Sequence, residues 1–301
     1  MGHRMRLEAP TDVRRTLSVL RRGRGDPTFQ QVGDTLWRAT RLTTGPVTMR
    51  LDQRGPDELE VDAWGDGADE LLETVTSWFP ADEFGTAPLP HPVVADAHRR
   101  FPLLRTPRTG RVVEALVAGI IEQKVVGQDA FAGWRRIIRQ HGTPAPGDPP
   151  LPLWVPPDPA GWVAIPSWDW HRAGVDPKRY RTIQAATRVG EQLERVAARG
   201  DLATTYRALR SLPGIGAWTA GEVGARALGD PDAVSWGDYH LGHTVGTGLS
   251  GDRDATDDDV AVLLEPFRPY RGRVVRLIEL SPLVAFERRG ARMSRVDHRN
   301  I

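Results

Sequence analysis

The chain has 301 residues, 40% hydrophobic and 26% charged, enough for one or two globular domains with a sizeable buried core. Forty lysines and arginines balance 39 acidic residues, and the absence of cysteine excludes disulfides, thiolate nucleophiles, zinc ribbons and cysteine-ligated iron–sulfur clusters. No run approaches the ~20 apolar residues of a membrane span, and residues 1–7 lack the apolar stretch and cleavage site of a secretory signal, so no membrane contact and a cytoplasmic address are expected.

Residues 11–21 place Val13, Leu17 and Leu20 at helical spacing. Three short runs follow, 35–43, 47–52 and 58–63, with partial alternation and with Gly45-Pro46 and Gly55-Pro56 between them, and they predict three antiparallel strands. Residues 68–79 return to the helical period through Leu71, Leu72, Val75 and Phe79. Helix, three strands and helix make a small α+β unit over 1–88, ended by the prolines between Pro80 and Pro92.

The remainder, 89–301, is dominated by helical spacing. Residues 111–128 carry Val112, Leu116, Ile120 and Ile121 on one side, and 181–198 carry Ile183, Ala186, Leu193 and Val196. Between them, 142–161 holds eight prolines and reads as a linker or surface insertion without visible chemistry. Thr256 and Asp259 are spaced as a capping box opening a helix over 256–267, which accounts for part of the acidic block 252–259. From 268 to 299 nine arginines stand against three acids, a basic end that suits a polyanion or plain solvation equally.

The informative stretch is 206–249. Residues 206–212 are helical in pattern, Pro213 stops them, and Leu212-Pro213-Gly214-Ile215-Gly216 makes a tight turn into a second helix over 217–228. Two glycines let a backbone approach another molecule closely, and free amides at a helix start favour an anion such as a DNA phosphate. Ile215 between them anchors the turn in the core. Any Pro-Gly connection between helices shares this composition. Downstream, Ala233-Val234-Ser235-Trp236-Gly237 leads to Asp238-Tyr239-His240-Leu241.

With Leu-Pro-Gly-Ile-Gly-Ala-Trp-Thr-Ala at 212–220 and Asp238-Tyr239 beyond it, the chain resembles the helix-hairpin-helix, Gly/Pro/Asp superfamily of DNA glycosylases. Within it the similarity is to the AlkA type, 3-methyladenine DNA glycosylase II. Ile120-Ile121-Glu122-Gln123 is similar to that family's first core helix, Phe267-Arg268-Pro269-Tyr270-Arg271 to a late segment, and the N-terminal pattern to its TATA-binding-protein-like domain. The resemblance covers most of the chain and is tight over 206–241.

It implies an α+β fold, with an N-terminal TBP-like antiparallel sheet and helices over 1–88 and a mainly α-helical catalytic domain over 89–301. It also implies a monomeric DNA repair enzyme that extrudes an alkylated purine from double-stranded DNA and hydrolyses its N-glycosidic bond. Asp238 matches the catalytic carboxylate. Breaking that bond builds positive charge on the sugar, which a fixed carboxylate stabilises while activating water; capping a helix that starts at Tyr239 is its other, compatible role. A lyase attacks through an amine, whereas this chain has only Lys124 and Lys178, and Trp218 occupies the position of the family's lyase lysine, so a monofunctional hydrolase is expected.

Trp218 and Tyr239 match aromatic positions of the base pocket, where a flipped cationic base gains stacking and cation–π contacts. Trp236 and Tyr270 divide evenly between pocket and core. Glu222, one turn beyond Trp218, stands where an aromatic can occur, and either alters the preferred base or faces water. DNA contacts are expected at Gly214, Ile215, Gly216, Ala217 and Thr219, at Gln123 and Lys124, the last in place of the family's apolar wedge, and from Arg271 and Arg273, which serve equally as a solvated helix face. The histidines show no metal-ligand spacing, so no side-chain metal and no redox or nucleotide cofactor are expected. The resemblance implies a monovalent cation, Na+ or K+, on carbonyls near Leu212 and Ile215. Another damaged base, or a non-catalytic DNA-binding hairpin, stays open at this level.

Overall fold

The N-terminal strands pair as an antiparallel sheet because their apolar residues fall on one face. In the computed structural model, which describes residues 2–86 and 89–284, five strands rather than three form it: β1 (His3–Arg6), β2 (Phe29–Val32), β3 (Thr35–Arg41), β4 (Pro46–Gln53) and β5 (Glu58–Trp64), in the order β1-β5-β4-β3-β2. Leu36 opposes Leu51, and Leu51 opposes Val61. This face is covered by α1 (Val13–Leu17), which runs on as a 3-10 turn through Leu20, and by α2 (Ala68–Thr74) with the 3-10 turn that follows it. Leu17, Leu71, Val75 and Phe79 are fully buried there. β1 and β2 escape the sequence reading because one has a single apolar residue, Met5, and the other a single buried residue, Phe29, so neither shows a run of alternation.

The helical part is built around α4 (Val112–Glu122). Eight of its residues, including the run Ala115–Ile121, are buried, as expected of a helix surrounded by others. It follows α3 (Pro92–Arg100) and ends six residues before the predicted helix does. Gln123 turns to extended backbone and Lys124 takes a left-handed φ of +53°, after which α5 (Gly127–His141) begins. The proline-rich segment 142–161 is more than a linker. It forms a short ladder of β6 (Thr143–Pro144) and β7 (Trp154–Val155), with Leu153 and Val155 buried against Ala39 on the second face of the sheet.

Next come α6 (Pro159–Ala164), α7 (Ser167–Arg172), α8 (Pro177–Arg188), α9 (Gly190–Ala198) and α10 (Leu202–Arg210). The single helix predicted over 181–198 is thus two, divided at Val189. The hairpin leads into α11 (Ala217–Val223), which continues as a π-helical turn to Leu228. A third apolar cluster joins α3 to α12 (Leu241–Leu249), α13 (Asp257–Leu264) and α14 (Arg271–Leu280). The capping box of Thr256 and Asp259 is present at the start of α13. Residues 87–88, where the predicted boundary falls, and arginines 288, 289, 292, 295 and 299 lie outside the described residues.

Candidate active site

The hairpin between α10 and α11 projects its backbone because its one apolar residue turns inward. Ile215 is 6% exposed, while Pro213, Gly214, Gly216 and Ala217 are open to solvent. Gly214 has φ +89°, and a Cβ there would lie 2.7 Å from Thr182 Oγ1, so both conformation and space require glycine. No side chain caps α11, and Ala220 is the first amide to reach a carbonyl of the turn, that of Gly216 at 3.0 Å. The preceding amides, those of Ala217, Trp218 and Thr219, therefore point out of the helix start. Gln123 fastens the turn from behind: its amide donates to Gly214 O at 3.0 Å and to Thr219 Oγ1 at 2.8 Å.

Beside the hairpin lies a cavity of about 440 Å³ between α11, the 233–238 segment, α14 and the N-terminal 3-10 turn. Its wall contains four residues linked in a ring. Trp218 Nε1 donates to Asp238 Oδ2 at 3.0 Å, and Glu222 follows Trp218 by one helical turn. Ser235 Oγ donates to Glu222 Oε1 at 2.6 Å, and the Asp238 amide donates to Ser235 O at 3.1 Å. The ring is this tight because Gly221 brings α11 against the 233–235 backbone: a Cβ there would sit 2.4 Å from Val234 O.

Asp238 is half-buried. Its second oxygen, Oδ1, accepts the His240 amide at 2.7 Å, so two neutral N–H groups hold both carboxylate oxygens. It does not cap a helix, since α12 starts at Leu241 with His240 at the cap position. Glu222 is 8% exposed and ion-paired to Arg226 at 2.7 Å. Burial pushes its carboxyl up, but the Arg226 guanidinium, the Ser235 hydroxyl and the more distant Arg22 together hold it below the ordinary carboxylate range.

No protein-family model and no curated protein matches the chain. Solved structures do. Over 92% of its length the chain is similar to 97% of a 3-methyladenine DNA glycosylase from Archaeoglobus fulgidus, with a TM-score of 0.73 at 16% identity. An 8-oxoguanine glycosylase/lyase from Clostridium acetobutylicum in its apo-form gives a TM-score of 0.68 at 11% identity, over 93% of this chain and 98% of that one. The same enzyme in complex with dsDNA containing cytosine opposite 8-oxoG gives 0.64 at 10%, over 92% and 96%. The chain has the fold of the helix-hairpin-helix DNA glycosylases.

On that fold the expected site residues are only partly together. Trp218, Glu222 and Asp238 share the cavity wall, with the hairpin residues Gly214, Gly216, Ala217 and Thr219 adjacent. Tyr239, 38% exposed, does not line this cavity but a second groove of about 340 Å³, which also includes Asp238, Asp254, Thr256 and Asp257. Tyr270 and Trp236 belong to the apolar cluster of α12–α14. Tyr270 meets Phe84 edge-on at 5.2 Å and its hydroxyl accepts the Glu83 amide at 3.3 Å, while Arg271 covers the Trp236 ring at 5.9 Å.

The two arginines expected at DNA phosphates are held internally. Arg271 binds both oxygens of Asp232, at 2.9 and 2.6 Å, and this hydrogen bonding raises its guanidinium above the ordinary value. Arg273 has 1% of its side chain exposed, pairs with Asp82 and lies over the Phe84 ring at 4.6 Å. Burial draws it down to about 10, with Asp82 pulling the other way. Lys124 is exposed at the tip of the loop after α4, next to Gln123, and neither lysine lines the cavity.

Sequence reasoning missed Ser235 and Arg226. Arg226 was legible as the i+4 partner of Glu222, whereas the Ser235 contact depends on a chain crossing at Gly221 that has no local signal. Among the described residues no group of three or more His, Asp or Glu side chains is placed to hold a metal, and no helix is long and apolar enough to cross a membrane. At the hairpin, Leu212 O accepts the Ile215 amide at 3.1 Å and Gly214 O faces Gln123. The donor set there consists of carbonyl oxygens, which fits a hard monovalent cation.

Proposed function

We propose that this protein is a monofunctional DNA glycosylase that extrudes an alkylated purine of the 3-methyladenine type from double-stranded DNA and hydrolyses its N-glycosidic bond, leaving an abasic site. The observation that carries the reading is Asp238: a carboxylate on the wall of a base-sized cavity, both oxygens oriented by neutral donors, next to a backbone turn with outward amides. As the glycosidic bond lengthens, positive charge develops on the sugar. Asp238 faces it with a carboxylate to which no cationic side chain among the described residues is hydrogen-bonded, and the same carboxylate orients the attacking water. Alkylation makes the base a good leaving group, so no dedicated acid is required.

The hairpin amides and the loop at Gln123 and Lys124 grip the strand from the same side, and the carbonyls near Leu212 and Ile215 are those that would hold a monovalent cation, whose charge would add to the attraction for a phosphate. Trp218 supplies a stacking face. The lack of a lysine on the cavity wall supports hydrolysis over a Schiff-base route. The fold neighbours act on methylated and on oxidised bases, and the charged rather than aromatic lining around Glu222 favours keeping a second class of damaged base in the test.

Asp238→Asn is expected to abolish release of methylpurines from methylated duplex DNA while binding to a duplex with an abasic site persists. Undiminished release by that variant, read by mass spectrometry of the freed bases, overturns the reaction. Release of 8-oxoguanine without methylpurines overturns the substrate.

A further inference from the structure

Resting on that reading, we propose that Glu222 is the specificity-determining residue of the cavity and selects purines that keep the exocyclic amine at C6, through a carboxylate that accepts hydrogen bonds from the extruded base. Three observations lead there. Trp218 is the sole tryptophan, and no tyrosine or phenylalanine joins it, among the described residues lining the cavity. Stacking on one ring is indifferent to base identity because every base has a π-face, so discrimination falls to hydrogen bonds at the base edge.

The lining also carries five arginines and five carboxylates, so their formal charges sum to zero and by count favour neither a cationic nor a neutral base. What remains is direction. Glu222 stands one helical turn from Trp218, on the wall that holds Asp238, and its two oxygens are held by two other lining residues, Ser235 at 2.6 Å and Arg226 at 2.7 Å. A carboxylate offers about four lone-pair positions. Two are occupied here, and two remain.

An ionised carboxylate accepts and never donates. A base presenting an amine satisfies it; a base presenting only a carbonyl oxygen at that point sets lone pair against lone pair and leaves Glu222 buried and unsatisfied. 3-Methyladenine carries its amine at C6, whereas 7-methylguanine carries a carbonyl oxygen at C6 and its amine at C2. In hypoxanthine the C6 amine has been replaced by oxygen, and in 1,N6-ethenoadenine it is sealed into a ring.

The test compares release of these four bases from otherwise identical duplexes, each rate divided by the spontaneous rate of loss. The wild-type protein is expected to favour 3-methyladenine over the other three by about tenfold or more. Glu222→Gln, whose amide both donates and accepts, is expected to reduce that ratio by about tenfold. Ser235→Ala lets the carboxylate swing and is expected to lower the ratio about threefold through kcat, with Ser235→Thr restoring it. A ratio unchanged in Glu222→Gln and in Ser235→Ala overturns the inference while leaving the hydrolase reading intact. Failure of the wild type to free any base overturns the hydrolase reading and this inference with it. Should circular dichroism show Glu222→Gln unfolded for want of the Arg226 partner, the Ser235 pair decides.

Discussion

Two carboxylates share one cavity wall and differ in every respect that matters for chemistry. Asp238 is half-buried and bound by two neutral N–H groups, so its charge is oriented, and among the described residues no cationic side chain is hydrogen-bonded to it. Glu222, nearly inaccessible, is paired with Arg226 and bonded by Ser235, so its charge is compensated while its lone pairs remain directional. The first environment suits a transient cation; the second suits a neutral hydrogen-bonding edge. A carboxylate's role follows from what holds it rather than from its place in a motif.

Moving the first charge is the strongest way to break this contrast. Asp238→Glu keeps the charge but displaces it by about one methylene, and a shift of that size is expected to reduce kcat about a hundredfold; single-turnover excision near the wild-type rate would mean that the carboxylate's position is immaterial. Trp218→Phe preserves the ring and removes the N–H that holds Asp238. Losing one hydrogen bond to a charged acceptor is expected to slow excision about tenfold, with KM little changed. An unchanged kcat would detach Trp218 from the positioning of Asp238.

The smallest effect sharpens the other side. Because Glu222 is held below its ordinary 4.5 in the folded state, its ionised form favours folding. That contribution is complete above the unfolded value and is lost as pH falls through the lower folded one. The melting temperature of the wild type should therefore exceed that of Glu222→Gln by a few degrees near about pH 7, and the gap should close on acidification below about pH 4.5. Calorimetry showing a gap that widens toward acid would contradict the compensated ion pair.

Much of the architecture was legible locally. The hairpin follows from Pro213, the two glycines and Ile215, and the capping box from Thr256 and Asp259, because these are short-range devices whose geometry lies in adjacent residues. The failures are tertiary. Apolar spacing continues from Ile121 through Val125, yet α4 stops at Glu122, where Gln123 is held by Gly214 and Thr219, residues more than ninety positions away. Arg273 looks like a basic helix residue until Asp82, 191 positions distant, is brought beside it. Tyr270 and Trp236, evenly divided between pocket and core by motif position, sit in the apolar cluster for the same reason: nothing local reveals that Phe84 packs edge-on against Tyr270 or that Arg271 lies over Trp236. Ser235 reaches Glu222 only because a glycine elsewhere admits the backbone.

Gln123 has a mechanical consequence. One side-chain amide bridges the end of the central helix to the turn 212–217, so the loop bearing residue 124 and the strand-gripping backbone are rigidly coupled. Tilting either tilts the other. Transplanting the hairpin alone onto another scaffold would leave it without its brace, and the smallest portable unit for holding a duplex is the turn together with the tip of α4.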